Sequence, residues 1–152
     1  MLEKLCRWLR LLGYPTVSAW DIVDPREHEG DEDEVLLELA AEGHLLITRD
    51  GVLADRAGRG AIRVESGDVA GQLAEVLTFL GDEPVMNPDE SRCPDCNAMV
   101  VRVEEGNPGP FEVTWMCPEC RKRYWVGGHW REMEAFLDRV RRLMDGAPAS
   151  SR

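Results

Sequence analysis

No apolar run in the chain approaches 18 residues, which excludes a transmembrane helix. Nor does the N-terminus have the uniformly apolar stretch of a secretory signal. Met1-Leu2-Glu3-Lys4-Leu5-Cys6-Arg7-Trp8-Leu9-Arg10 scatters charge through it, and the expectation is a cytoplasmic protein with no membrane partner. Lysine is almost missing. Of 18 basic residues only Lys4 and Lys122 are lysines, a bias that also marks GC-rich or salt-adapted hosts. Acids outnumber bases 29 to 18, so the net charge is -11. That argues against a protein that coats nucleic acid indiscriminately and leaves room for a local RNA groove. Apart from two short cysteine motifs, no segment repeats.

What remains is 152 residues, 43% hydrophobic and 31% charged, enough for one compact domain and a smaller unit. The charge is divided unevenly. Residues 1–90 hold 20 acids and 8 bases, whereas residues 91–152 hold 9 acids and 10 bases. The contrast suggests two units of different character.

Four of the five cysteines form the pairs Cys93-Pro94-Asp95-Cys96 and Cys117-Pro118-Glu119-Cys120. Two intervening residues let one tight turn aim both thiolates at a single ion, and proline after the first cysteine presets such a turn. Two pairs complete a tetrahedron, the closed geometry of a structural zinc site. Disulfides do not suit a chain without an export signal. Met99–Glu104 and Phe111–Met116 read as short strands about the turn Gly106-Asn107-Pro108-Gly109-Pro110, so the segment is expected to be a zinc ribbon. His129 is a conceivable extra ligand but reads better as structural. Cys6 reads as a core residue on the apolar face of the first helix.

Leu2, Leu5, Cys6, Leu9 and Leu12 recur at helical spacing, and Gly13 supplies the stop. Tyr14–Trp20 reads as a strand, and Asp31 with Glu34 as a capping box before the helix Val35–Ala41. His44–Thr48 reads as a buried strand, Val52–Arg59 as a helix and Ala61–Val64 as another strand. An amphipathic helix follows, through Val69, Leu73, Val76, Leu77 and Leu80. Strands alternating with helices predict a parallel α/β sheet with right-handed crossovers. Gly81–Glu90 reads as a linker, and Trp130, Met133, Phe136, Leu137 and Val140 as a closing helix. The expected units are residues 1–85, the ribbon 86–128 and a C-terminal helix 129–146.

Functional groups in open α/β sheets gather beyond the carboxyl ends of strands. Asp50 stands there, directly after Leu46-Ile47-Thr48-Arg49; Asp68 follows the next strand, and Asp33 opens the preceding helix. Three such carboxylates suit Mg or Mn, which can activate water against a phosphodiester. Taken individually, Asp68 and the run Asp31–Glu34 read more simply as helix caps and dipole complements. Arg7, Arg10 and Arg49 suit phosphate contacts or simple solvation.

The opening run from Met1 to Tyr14, Asp33-Glu34-x-Leu36-Leu37-x-Leu39-Ala40, Leu46-Ile47-Thr48-Arg49-Asp50, the two C-P-x-C knuckles and Tyr124-Trp125-x-Gly127-x-His129-Trp130 together resemble the Mut-seven C-terminal RNase family, a PIN-like group. The resemblance implies a PIN-like α/β domain, a zinc ribbon and Mg- or Mn-dependent endoribonuclease activity on RNA. It makes Asp33, Asp50 and Asp68 the catalytic acids and sets the Arg7–Arg10 helix beside the active groove. The family pattern usually opens with a short strand ending in aspartate, upstream of the Met-Leu. The chain as given starts at Met1, so either its start lies further upstream or its centre is weakened. The alternative is therefore an RNA-binding module lacking the first aspartate. A third reading uses the ribbon to engage an adaptor or inhibitory protein. Within the ribbon, Arg121, Lys122 and Arg123 with Tyr124 or Trp125 are candidates to grip RNA, or the aromatics only cover the zinc site.

Overall fold

A computed structural model describes residues 2–23, 26, 32–107 and 109–146. Helix α1 (Glu3–Leu11) buries Leu5 and Leu9, as its spacing predicts. It ends at Gly13, where φ is +97° and a Cβ would stand 2.9 Å from the Glu90 carbonyl oxygen. Gly13→Ala is therefore expected to cost more than about 1 kcal/mol, read as a melting temperature lower by roughly 2–4 °C. The open carbonyls of the last turn of α1 are taken by the chain entering the ribbon. Ser91 Oγ donates to Leu11 O (2.7 Å), Arg92 N to Arg10 O (2.9 Å) and Arg92 Nε to Gly13 O (3.2 Å).

Tyr14–Trp20 is not a strand. Its backbone groups bond to side chains instead of a neighbouring strand: Thr16 O accepts from Arg10 Nε at 2.7 Å, and Thr16 N donates to Asn97 Oδ1 at 3.2 Å. The segment passes into a single helical turn, α2 (Ala19–Ile22). Asp31, half of the expected capping box, lies outside the described residues.

Helix α3 (Glu32–Ala41) turns through Gly43 into β1 (Leu46–Thr48). The chain then crosses by α4 (Gly51–Ala57) to β2 (Ala61–Arg63). The strands are parallel, with Leu46 opposite Ala61, Ile47 opposite Ile62 and Thr48 opposite Arg63. Among the described residues this sheet has only these two strands. That is why β1, expected to be buried, is only half-buried along its length. The core lies on the β2 side, where Ile62 and Val64 meet α5 (Val69–Leu80). Six of the twelve residues of α5 are buried besides Gly71, among them Leu73, Val76 and Leu77.

The ribbon contains β3 (Val101–Val103), β4 (Thr114–Met116) and β5 (Arg123–Tyr124) in antiparallel order β3-β4-β5. The third strand was not expected from sequence. It pairs Tyr124 with Trp115 and Arg123 with Met116. A small second core surrounds Cys93, Val100 and Cys117. The last helix, α6 (Gly128–Gly146), returns to the first core. Leu137 and Val140 are buried beside α5, and Phe136 stacks on Trp8 of α1 with ring centres 4.2 Å apart. The molecule is thus mixed α/β, with a small parallel sheet, a separate antiparallel sheet and a long C-terminal helix. Among the described residues no helix is long and apolar enough to cross a membrane.

Candidate functional site

The two cysteine motifs fold into near-identical knuckles. Cys93 N donates to Ala98 O (2.8 Å) and Asn97 N to Cys93 O (2.8 Å); Cys117 N donates to Lys122 O (2.9 Å) and Arg121 N to Cys117 O (3.0 Å). In each, the residue after the second cysteine is left-handed, Asn97 at φ +64° and Arg121 at +65°. Asparagine tolerates this conformation, whereas Arg121 adopts it at a cost of about 1–2 kcal/mol. The four thiol sulfurs lie within 4.8 Å of one another, and those of Cys93 and Cys120 are 3.8 Å apart. A tetrahedral site with Zn–S bonds of about 2.3 Å has edges of about 3.8 Å, so the four could hold zinc.

Tyr124 extends this site. Its hydroxyl lies 3.2 Å from Cys93 Sγ. Burial pushes the Cys93 thiol up, but the Tyr124 hydroxyl and the backbone amides of Cys96 and Asp95 outweigh it, giving about 7. Nothing in the cysteine spacing signals this contact. His129 is not part of the cluster; its Nδ1 faces Glu132 at 3.0 Å on an exposed surface. Cys6 is half-buried and directs its thiol to Thr16 O at 3.8 Å.

The arginines expected to meet RNA divide. Arg7 is exposed and pairs with Asp95 at 3.0 Å. Lys122 reaches the same carboxylate, and the two cations hold Asp95 below the ordinary carboxylate range. Arg49 is exposed beside Asp50. Arg10 is a correction, because it is only 7% exposed and faces inward. Besides Thr16 O, its guanidinium donates to Pro94 O (2.8 Å) and Asp95 O (3.3 Å), pinning the first knuckle to α1. The sequence holds one hint: Arg10 lies one helical turn after Cys6, on the flank of the apolar face.

Asp50 and Asp68 follow the adjacent carboxyl ends of the parallel pair, and each caps the next helix. Asp50 Oδ1 accepts from Val52 N (2.8 Å) and Leu53 N (3.1 Å). Asp68 Oδ1 accepts from Ala70 N (3.0 Å) and Gly71 N (3.1 Å), while its Oδ2 pairs with Arg139 at 3.4 Å. Asp33 is exposed in the first turn of α3, where neighbouring Glu34 bonds Arg56 of α4. Among the described residues, the cysteines are the only group of three or more His, Cys, Asp or Glu drawn together within 4.8 Å. The three aspartates do not close around one ion.

A family model, the Mut7-C RNAse domain, matches residues 1–137. The chain belongs to this family. Membership points to a nuclease role, and the matched region takes in the parallel pair, all four cysteines and the start of α6. No curated protein and no solved structure matches this Mut7-C chain.

Proposed function

We propose that this Mut7-C chain is an endoribonuclease that cleaves RNA at the carboxyl edge of the parallel pair, within a PIN-like domain spanning residues 1–85, and that its cysteines hold a structural zinc ion. The observation that carries the reading is the family match over residues 1–137, with Asp50 standing directly beyond β1 inside it. The parallel pair β1–β2 and its α4 crossover support the PIN-like reading. Asp50 and Asp68 supply negative charge at that edge, Asp33 in the first turn of α3 is the third acid of this reading, and Arg7 and Arg49 are exposed for phosphate contact. When bound to such acids, Mg or Mn supplies an activated water and neutralises phosphate charge. As placed, the acids do not enclose a single ion, so no step is routed through one.

The test is cleavage of a labelled, structured RNA by the full chain with Mg or Mn, beside an EDTA control and Asp50→Asn. Asparagine caps helices as well as aspartate does, so this substitution removes charge while keeping the Val52 and Leu53 hydrogen bonds. Cleavage is expected to need the metal and to fall by about 10² or more in Asp50→Asn with an unchanged melting temperature. Equal cleavage by Asp50→Asn would remove that residue from the centre.

The second reading, an RNA-binding module without cleavage, is favoured by the capping roles of Asp50 and Asp68 and by the fact that, among the described residues, the three aspartates form no group that could hold a metal. It expects no cleavage under any metal, with RNA binding unchanged or tighter in Asp50→Asn.

A further inference from the structure

Where the ribbon meets α1 and α6 there is a cavity of about 260 Å³. Its walls are aromatic: Trp115 and Tyr124 from the ribbon, Trp125 beyond β5 and Trp130 from α6, with Met86 and Met133 completing the apolar surface. In a chain of net charge -11, no acidic residue among the described ones lines it, whereas Arg92, Lys122 and Arg123 do. Two of these cations are held by neutral oxygens. Arg92 donates to the carbonyls of Gly13 and Asn97, and Arg123 to Asn107 Oδ1 and Thr114 Oγ1. Among the described residues no carboxylate is bonded to either guanidinium, so neither charge is offset by a direct ion pair there. Only Lys122 is paired, with Asp95.

Covering the zinc site explains part of this wall. Trp115 and Tyr124 pack on the cysteine core, but Trp125 and Trp130 do not belong to it. Trp125 is 46% exposed and lies against Phe111, with ring centres 5.6 Å apart. Its indole also closes over Gly127, where a Cβ would come within 3.1 Å of the ring. Two of the rings are anchored by their polar ends, Trp115 Nε1 to Asp89 (2.8 Å) and the Tyr124 hydroxyl to Cys93. Anchored rings lose little freedom when a flat partner stacks on them.

Aromatic walls with unneutralised cations select a ligand that is flat and anionic. We propose that this cavity receives one unpaired nucleobase of an RNA strand, with the adjoining phosphates lying toward Arg92 and Arg123. The proposal rests on the ribonuclease reading for its choice of RNA and assigns the ribbon–helix junction a part in holding the substrate. Single-stranded recognition by stacking and backbone cations has this composition.

The test uses the full, zinc-loaded chain and a single-stranded RNA about ten nucleotides long. Of the five indole N–H resonances, those of Trp115, Trp125 and Trp130 are expected to shift on titration, while Trp8 and Trp20 stay in place. Adenosine monophosphate should compete and ribose 5-phosphate should not. Met133→Trp, which fills the cavity, should weaken binding about tenfold or more. Cavity indoles that do not move, equal competition by ribose 5-phosphate, or unchanged affinity in Met133→Trp would each overturn the proposal. So would displacement of the RNA by an acidic aromatic peptide that shifts the same three indoles more strongly. The wild-type spectrum decides even where the variant fails to fold. Metal-dependent cleavage with silent cavity indoles sinks the base receptor and leaves the ribonuclease standing; base binding with no cleavage does the reverse.

Discussion

Cys117→Ser is expected to abolish metal binding and unfold the ribbon. Among the described residues its apolar cluster has three buried members, Cys93, Val100 and Cys117, and two of them belong to the cysteine group that could hold zinc. Little apolar burial would remain to offset the entropy of ordering three short strands. Structural zinc contributes about 10–16 kcal/mol of apparent binding free energy in such modules, far more than this core can supply. The wild-type chain should therefore carry about one zinc per molecule by elemental analysis, and the variant none. Near-ultraviolet dichroism should lose the contribution of Trp115, which packs on the cysteine core. The core around Leu73, Leu77 and Leu137 contains no cysteine and should persist as a separate, later transition. A zinc-free wild-type chain, or a variant that melts unchanged, would defeat the assignment.

The second large effect belongs to Arg10. Arg10→Leu should destabilise the protein by about 3–5 kcal/mol, because a buried guanidinium is removed and the carbonyls of Thr16, Pro94 and Asp95 lose their donor. At this chain length that is a fall of roughly 6–20 °C in melting temperature. Arg10→Lys should recover only part of it, since one ammonium does not reproduce a planar fork that serves acceptors on two segments. The comparison is Arg7→Leu, three residues earlier on the same helix. Its pair with Asp95 is exposed, with side chains 51% and 37% accessible, and should contribute at most about 1 kcal/mol. Arg10→Leu should also release zinc sooner to a chelator, because two of its bonds hold the loop between Cys93 and Cys96. Loss of RNA affinity with no loss of stability would return Arg10 to the surface role that its sequence position first suggested.

These two residues show why one site was legible and the other was not. A C-x2-C pair is a nearly complete local specification, since the turn, the donor atoms and the demand for a second pair lie within four residues. The fate of Arg10 depends on carbonyls 84 and 85 positions away, and helical spacing contains nothing about them. Tyr14–Trp20 has the alternation of a strand, but a strand needs a neighbour, and here Arg10 and Asn97 took its backbone groups first. Asp50 and Asp68 are correctly read as standing beyond parallel strands; their capping bonds, equally local, are a second use of the same carboxylates.

By itself, then, the sequence determined the four-cysteine centre, the helices α1, α5 and α6, the parallel crossover and membership of the Mut7-C family. Each follows from short-range spacing or from a motif whose meaning does not depend on the rest of the chain. Only the tertiary structure decided that Arg10 is interior, that α6 closes the first core rather than the ribbon, that Arg123–Tyr124 forms a third strand, and that four aromatic rings from three segments share one cavity. Those outcomes turn on which distant surfaces are removed from water together, and burial is a property of the packed whole.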